Sequence, residues 1–312
     1  MSNVAYLWDP ISLAHDTGPH VETIDRAERL RPERVRPRLS GVAFPGIQTH
    51  DAVEAILRVH RREYHDWVRT FCNGGGGYLD ASDTVVCLRS YDAAIGSVNA
   101  GLTAVDLVMK GDVKRVFSAM RPPGHHAIAD QAMGFCIFGN IAIAAKYAQM
   151  TYGFERVAIV DFDVHHGNGT QALLYDDPSV LCISMHQMPL WPMTGYSTER
   201  GEGAGEGATL NVPVRPGTAE SAQLRTFSDV VIPAVNAFKP ELLFIAAGFD
   251  AHRDDPLAEL NLTEAGFAQM TRELRQIADD YCDGRIVSLL EGGYNLDALE
   301  NSVVAHIQEL DV

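Results

Sequence analysis

Residues 156–169 read RVAIVDFDVHHGNG: a strand-type run, Arg156–Phe162, followed at once by carboxylates, imidazoles and glycines. A run that is apolar without alternation suits a strand buried on both faces, as in a parallel sheet covered by helices. Working outward, Thr84–Leu88, Arg115–Met120, Val180–Met185, Thr209–Val212, Leu242–Ala247 and Arg285–Leu290 carry the same character. Longer segments with helical periodicity separate them, which is the signature of βαβ units and an α/β fold with a mostly parallel sheet. No linker or shift in composition divides the chain, so residues 1–312 are expected to form one domain.

Val53, Leu57, His60, Tyr64, Trp67 and Phe71 recur at spacings of 4, 3, 4, 3 and 4, and Phe267, Met270, Leu274, Ile277 and Tyr281 at 3, 4, 3 and 4. Each set predicts one amphipathic helix. Ile95, Val98, Leu102 and Val105 mark a third, and a fourth is expected over Ala219–Phe238 with a kink at Pro233. Gly74–Gly77 and Gly195–Gly207 read as surface loops.

The 312 residues carry 25 basic and 41 acidic side chains, a formal charge of −16, and no basic stripe, which argues against a nucleic-acid partner. The five cysteines (Cys72, Cys87, Cys136, Cys182, Cys282) form no CxxC pair. Neither a disulfide framework nor a cysteine zinc site is expected, and a reducing, cytoplasmic location is. No apolar stretch is long enough to span a bilayer, so no membrane partner is expected.

Polar residues gather just after the strands: RPPGHH (121–126), DFDVHHGNG (161–169), SMH (184–186), GFD (248–250) and EGGY (291–294). In a parallel sheet that edge is where ligands bind, so five distant segments are expected to converge on one crevice. Asp163 and His165, two apart, point to one side if the backbone there stays extended. With Asp250 they make a three-ligand set that leaves room for water, suited to catalytic Zn²⁺ or, as the alternative, Fe²⁺. His125 and His126 suit proton transfer near neutral pH, with Asp161 to hold one tautomer. Tyr294 is placed to donate its phenol hydrogen to a substrate oxygen.

RPPGHHA (121–127), MGFCIFGNIAIAA (133–145), VDFDVHHGNGTQ (160–171), ISMHQ (183–187), GFDAHRDDPLAELNLT (248–263) and LEGGYN (290–295), in this order and with HDTGPHVE (15–22) ahead of them, resemble the histone deacetylase superfamily. The resemblance is nearest to its class II-like bacterial members, which include acetylpolyamine amidohydrolases. It implies a single-domain arginase/deacetylase-like α/β fold with a central eight-stranded, mostly parallel sheet flanked by helices. It further implies zinc on Asp163, His165 and Asp250, His125 and His126 as the paired catalytic histidines, and Tyr294 polarising an acyl carbonyl. Asp161 matches the carboxylate behind the first histidine. Asn168 stands where some members carry Asp behind the second, so His126 lacks a charge to stabilise its protonated form.

Phe135 and Trp191 align with the aromatic walls of an acyl-lysine tunnel, Trp191 standing where Phe is common. Gly134 and Cys136 align with its inner end and Leu257 with the rim, and Gly292 and Gly293, just before Tyr294, are counted with the substrate-binding residues. Structural K⁺ is implied near Asp161, Asp163, His165 and Ser184. The implied reaction is zinc-dependent removal of an acetyl group from an acylated amine, acetyl-lysine in a peptide or protein or an acetylated polyamine. Selectivity is expected in the rim loops Asp9–Glu28, Asp80–Asp83 and Met188–Glu206, which a homo-oligomer could pack between subunits. Two rivals share parts of the pattern. An arginase-like binuclear ureohydrolase fits DAHRD (250–254) and DFD (161–163), but in reversed order and without PPGHH. A non-catalytic acetyl-ligand binder is expected to have lost a metal ligand or the tyrosine, and this chain has all of them.

Overall fold

Every residue of Leu242–Ala247 is buried, yet neighbours enter different cores. Leu243, Ile245 and Ala247 pack on one side of the sheet with Phe267, Met270, Leu274, Val303 and Ile307. Leu242, Phe244 and Ala246 pack on the other with Ala100, Ala104, Val105, Ile141 and Ala145. A pleated strand sends alternate side chains to opposite faces, and both faces here are dry, so the sequence reads apolar throughout.

The computed structural model describes residues 2–81 and 83–312; Ser82, within the expected rim segment Asp80–Asp83, lies outside the described residues. The described strands are β1 (Val4–Leu7), β2 (Gly76–Tyr78), β3 (Val85–Cys87), β4 (Arg115–Ser118), β5 (Val157–Asp161), β6 (Val180–Gln187), β7 (Thr209–Val214), β8 (Leu242–Ala247) and β9 (Ile286–Leu290). Seven of them form one parallel sheet in the order β1-β4-β9-β8-β5-β6-β7. Helices Ser90–Lys110 and Asn140–Tyr152 cover one face, and Glu264–Tyr281 and Leu296–Leu310 the other. The fold is thus α/β with a central parallel sheet flanked by helices.

Seven strands stand where the resemblance implies eight. Outside β1 a single bridge, Ala5 to Ala43, holds the next position, with Tyr6 N–H donating to Ala43 O (2.8 Å) and Ala43 N–H to Val4 O (2.9 Å). Pro45, two residues on, has no N–H to extend the ladder.

Elsewhere the described elements part from the sequence reading in three places and bear it out in a fourth. Thr84–Leu88 does not join the main sheet; Val85–Cys87 pairs antiparallel with Gly76–Tyr78, so part of the expected Gly74–Gly77 loop is strand. The edge strand Val4–Leu7, four residues long, carried no sequence signal. The 53–71 stripe is two helices, Ala52–Ile56 and Arg62–Asn73. Between them His60 turns inward to accept Gly139 N–H (2.8 Å) and Arg61 N–H donates to Ala129 O (2.8 Å). The second helix buries Tyr64, Val68 and Cys72 while Trp67 stays 43% exposed. The Ala219–Phe238 helix does break near Pro233, as a π turn over Phe227–Val231 between Glu220–Thr226 and Ile232–Phe238. Proline lacks the N–H that would continue the regular ladder.

Phe244, 0% exposed on a central strand, provides a test of the packing. Phe244→Ala should lower the free energy of unfolding by about 3–5 kcal/mol, read as an earlier urea midpoint.

Candidate active site

Strand register sets the level of the crevice. Leu7, Ser118, Leu289, Ala246, Asp161, Ser184 and Asn211 are paired in one line across the sheet. The chemically loaded segments start at that line or just beyond it. From β5 the chain runs outward through β6 and β7, then returns to β8 on the opposite side of β5. The loops after β5 and β8 therefore diverge at a topological switch point, which opens a crevice at the carboxyl ends of the strands.

Asp163, His165 and Asp250 meet there, each buried, with one donor atom apiece within 4.8 Å of the others. His165 Nδ1 lies 3.2 Å from Asp163 Oδ1 and 3.1 Å from Asp250 Oδ2. The expected extended backbone is not what aligns them: residues 163–165 form a bend past the end of β5. Side-chain caps set the bend instead. Asp163 N–H donates to Asp161 Oδ1 (3.0 Å), Val164 N–H to Asp250 Oδ1 (2.8 Å) and His165 N–H to Asp163 Oδ1 (2.9 Å). Burial alone would lower the His165 pKa, but the two carboxylates outweigh it and push it up to about 10. Such a concentration of negative field in a dry site suits a cation, and one imidazole with two carboxylates could hold Zn²⁺ or Fe²⁺.

The two histidines behind this set are tuned in opposite directions. Their rings lie 3.9 Å apart, centroid to centroid. His125 Nδ1 faces Asp161 Oδ2 at 2.9 Å; burial disfavours its charge, but Asp163, Asp161 and Glu291 together raise its pKa well above the ordinary value. His126 Nδ1 faces Asn168 Oδ1 at 2.7 Å, and burial followed by repulsion from His125 and His165 holds its pKa well below the ordinary value. The pair can hold one proton and leave one free base.

An apolar pocket of about 240 Å³ leads to them, lined by Val21, Asp83, His126, Gly134, Phe135, His165, Leu190, Trp191, Leu257 and Tyr294. Seven expected site residues are in that lining. Asp161, Asp163, Asp250, His125 and Cys136 are buried behind it. Trp191 packs edge-on against His126 (4.8 Å) and Phe135 against Tyr294 (5.8 Å). Gly134, at φ +55°, lets the chain pass between the His126 and Trp191 rings, where a Cβ would collide with both. At Gly292 a Cβ would run into the Asp163 and Asp250 carboxylates. Val21 and Leu190 were not singled out, since one apolar residue in a loop carries no distinguishing pattern.

The histone deacetylase domain model matches residues 20–310, and the chain belongs to that family. It is 38% identical to the histone deacetylase-like amidohydrolase of Pseudomonas aeruginosa over 98% of this chain and 85% of that one. It is also 38% identical to the chloroplastic histone deacetylase 10 of Oryza sativa, over 97% and 72%. The crystal structure of the HDA15 HD domain superposes with a TM-score of 0.92 at 36% identity, covering 99% of this chain and 89% of that one. Family membership makes the protein a deacetylase-type hydrolase acting on an acylated amine, and the family is generally metal-dependent.

Sequence reasoning assigned no role to the residues that brace the site. Glu291 Oε2 accepts the N–H groups of Gly124 (2.7 Å) and His125 (3.1 Å), fixing the histidine loop. Asp255 accepts Tyr294 N–H (2.7 Å) and Leu257 N–H (3.0 Å). Arg26 donates to Gly293 O (2.7 Å) and lies 5.0 Å from the Tyr294 ring. Glu22 sits between Arg26 (2.9 Å) and Arg121 (2.5 Å), all three 0% exposed. Glu22, Arg121 and Glu291 stood inside quoted motifs, so position was visible and partner was not.

Glu22→Gln would leave two buried guanidiniums short of an anion and should cost about 3–5 kcal/mol. Burial raises the Glu22 pKa, but Arg121 and Arg26 outweigh it and the net shift is downward. Its stabilisation is therefore complete above the unfolded carboxylate value of about 4.3 and is lost as pH falls through the lower folded value. Urea titrations at several acidic pH values should show a steeper loss in the parent than in the Gln protein, which keeps other lowered carboxylates such as Asp106, Asp177 and Glu199.

Proposed function

We propose that the pocket takes acetyl-lysine in a peptide or protein and hydrolyses its amide, with Asp163, His165 and Asp250 holding zinc, or Fe²⁺ as the alternative. The observation that carries this reading is the meeting of three groups at an apolar pocket: the Asp/His/Asp donor set, the His126 imidazole and the Tyr294 phenol. A divalent cation held there supplies Lewis acidity, lowering the pKa of water and polarising an amide carbonyl. His126, with Nδ1 fixed on Asn168, takes the water proton at Nε2 and returns it to the leaving nitrogen. His125, kept charged by its carboxylates, stabilises the negative charge that develops. Burial and then Asp250 raise the Tyr294 pKa well above its ordinary value, so the phenol stays protonated and donates to the carbonyl oxygen. Acetate and a free amine result. Structural K⁺ would sit by the β5 and β6 ends, near Asp161, Asp163, His165 and Ser184.

An acetylated polyamine is the second reading. It is supported by the Asp83 carboxylate in the pocket lining and by the chain's −16 charge, both of which attract a cationic substrate. We further propose that residues 1–312 act as one catalytic domain in the cytoplasm. All five cysteines are free, and no described helix is long and apolar enough to cross a membrane.

Acetate release from an acetyl-lysine peptide and an acetylated polyamine, assayed side by side, separates the substrates. Cleavage of the peptide supports the first reading, and cleavage of the polyamine alone replaces it with the second. A chelator should abolish turnover and Zn²⁺ should restore it. Tyr294→Phe should lower kcat by roughly 10²–10³-fold with an unchanged circular dichroism spectrum; unaltered turnover would remove Tyr294 from the reaction.

A further inference from the structure

A second donor set lies behind the histidine pair. One atom each from His125, Cys136 and Glu291 falls within 4.8 Å of the other two, and all three residues are buried. Nδ1 of His125 is engaged by Asp161, and Nε2, 3.8 Å from Asp163 Oδ2, is the ring nitrogen open to a cation, at the border with the Asp/His/Asp set. A carboxylate behind an imidazole in this way orients a histidine for a metal. The second, independent observation is on Glu291. Its Oε2 accepts two backbone N–H groups, while Oε1 is buried with no hydrogen-bond partner. A carboxylate oxygen in that position is costly unless a proton or cation satisfies it.

We propose that His125, Cys136 and Glu291 form a second, thiolate-containing site for a borderline divalent cation such as Zn²⁺, and that filling it stops turnover by capturing the His125 imidazole. On binding, the Cys136 thiol and the imidazole release their protons to solvent, the sulfur coordinates as thiolate, and nothing is oxidised or reduced. The Asp/His/Asp set has no sulfur, so it is the harder of the two, and Mg²⁺ fits the thiolate site poorly. Metal binding here is independent of the proposed function; only the loss of turnover rests on it.

The test is a Co²⁺ titration of the metal-stripped full chain, with thiolate-to-cobalt charge-transfer absorbance and deacetylation of an acetyl-lysine peptide read on the same samples. The first equivalent should restore activity without a thiolate band. Further Co²⁺ should bring up the band as a second equivalent binds, and the rate should fall in step. Cys136→Ser should abolish the band, and Glu291→Gln should shift it to higher metal concentration, each compared with that variant's own maximal rate. Thermal melts confirm folding, and Cys136→Ala replaces the Ser variant if it fails to fold. Saturation at one Co²⁺ without a band overturns the site, as does a band that persists in the Cys136 variant. A band with no fall in rate overturns the inhibitory half. A band in a protein that deacetylates at no metal level supports the site while sinking the functional reading.

Discussion

The Asp163 carboxylate joins two loops that the chain keeps far apart. Oδ1 accepts His165 N–H in its own loop, and Oδ2 accepts Gly292 N–H from the loop after β9 (2.8 Å). Asp250, after β8, reaches back to Val164 N–H after β5, Glu291 holds the loop after β4, and Asp255 holds the backbone of Tyr294. A buried carboxylate must be paired or hydrogen-bonded, and here the partners are the main-chain amides of neighbouring strand-end loops. The same carboxylates that create the negative field thus fix the geometry of the crevice.

That arrangement explains how adjacent residues of one type come to differ. His125 is surrounded by Asp161, Asp163 and Glu291, whereas His126 has only the Asp163 carboxylate acting to raise its pKa, against repulsion from His125 and His165. Burial penalises both charges alike, so the number of carboxylates in reach decides which ring keeps its proton. Asn168 fixes the His126 ring and offsets the lowering only through that hydrogen bond, since it lends no charge.

The ionic cluster of Glu22, Arg26 and Arg121 serves the site from behind. Arg26 links the segment after β1 to the Gly293 carbonyl next to Tyr294, and Arg121 donates to the Ser12 and His15 carbonyls. Guanidiniums carry several fixed donors, so one buried side chain can tie several loops together. Packing alone would leave those carbonyls unsatisfied in a dry interior.

Much of this was legible in sequence. Unbroken apolar runs such as Leu242–Ala247 announced strands covered on both faces, and polar clusters directly after them announced a shared edge, because local pattern dictates both. The positions of Asp163, His165, Asp250, His125, His126 and Tyr294 followed from that pattern together with the family resemblance. Other features depended on contacts made across the chain. Val85–Cys87 has the composition of a sheet strand but pairs in a separate hairpin, and the 53–71 stripe is interrupted where His60 meets Gly139. The bend at Asp163–His165 is set by Asp161 and Asp250 rather than by strand pleat. The sequence by itself determined which polar and titratable residues stand at the strand ends, since periodicity and residue type are local properties. Only the tertiary structure decided which carboxylate faces which imidazole, because that depends on sheet order and on amides brought together from distant segments.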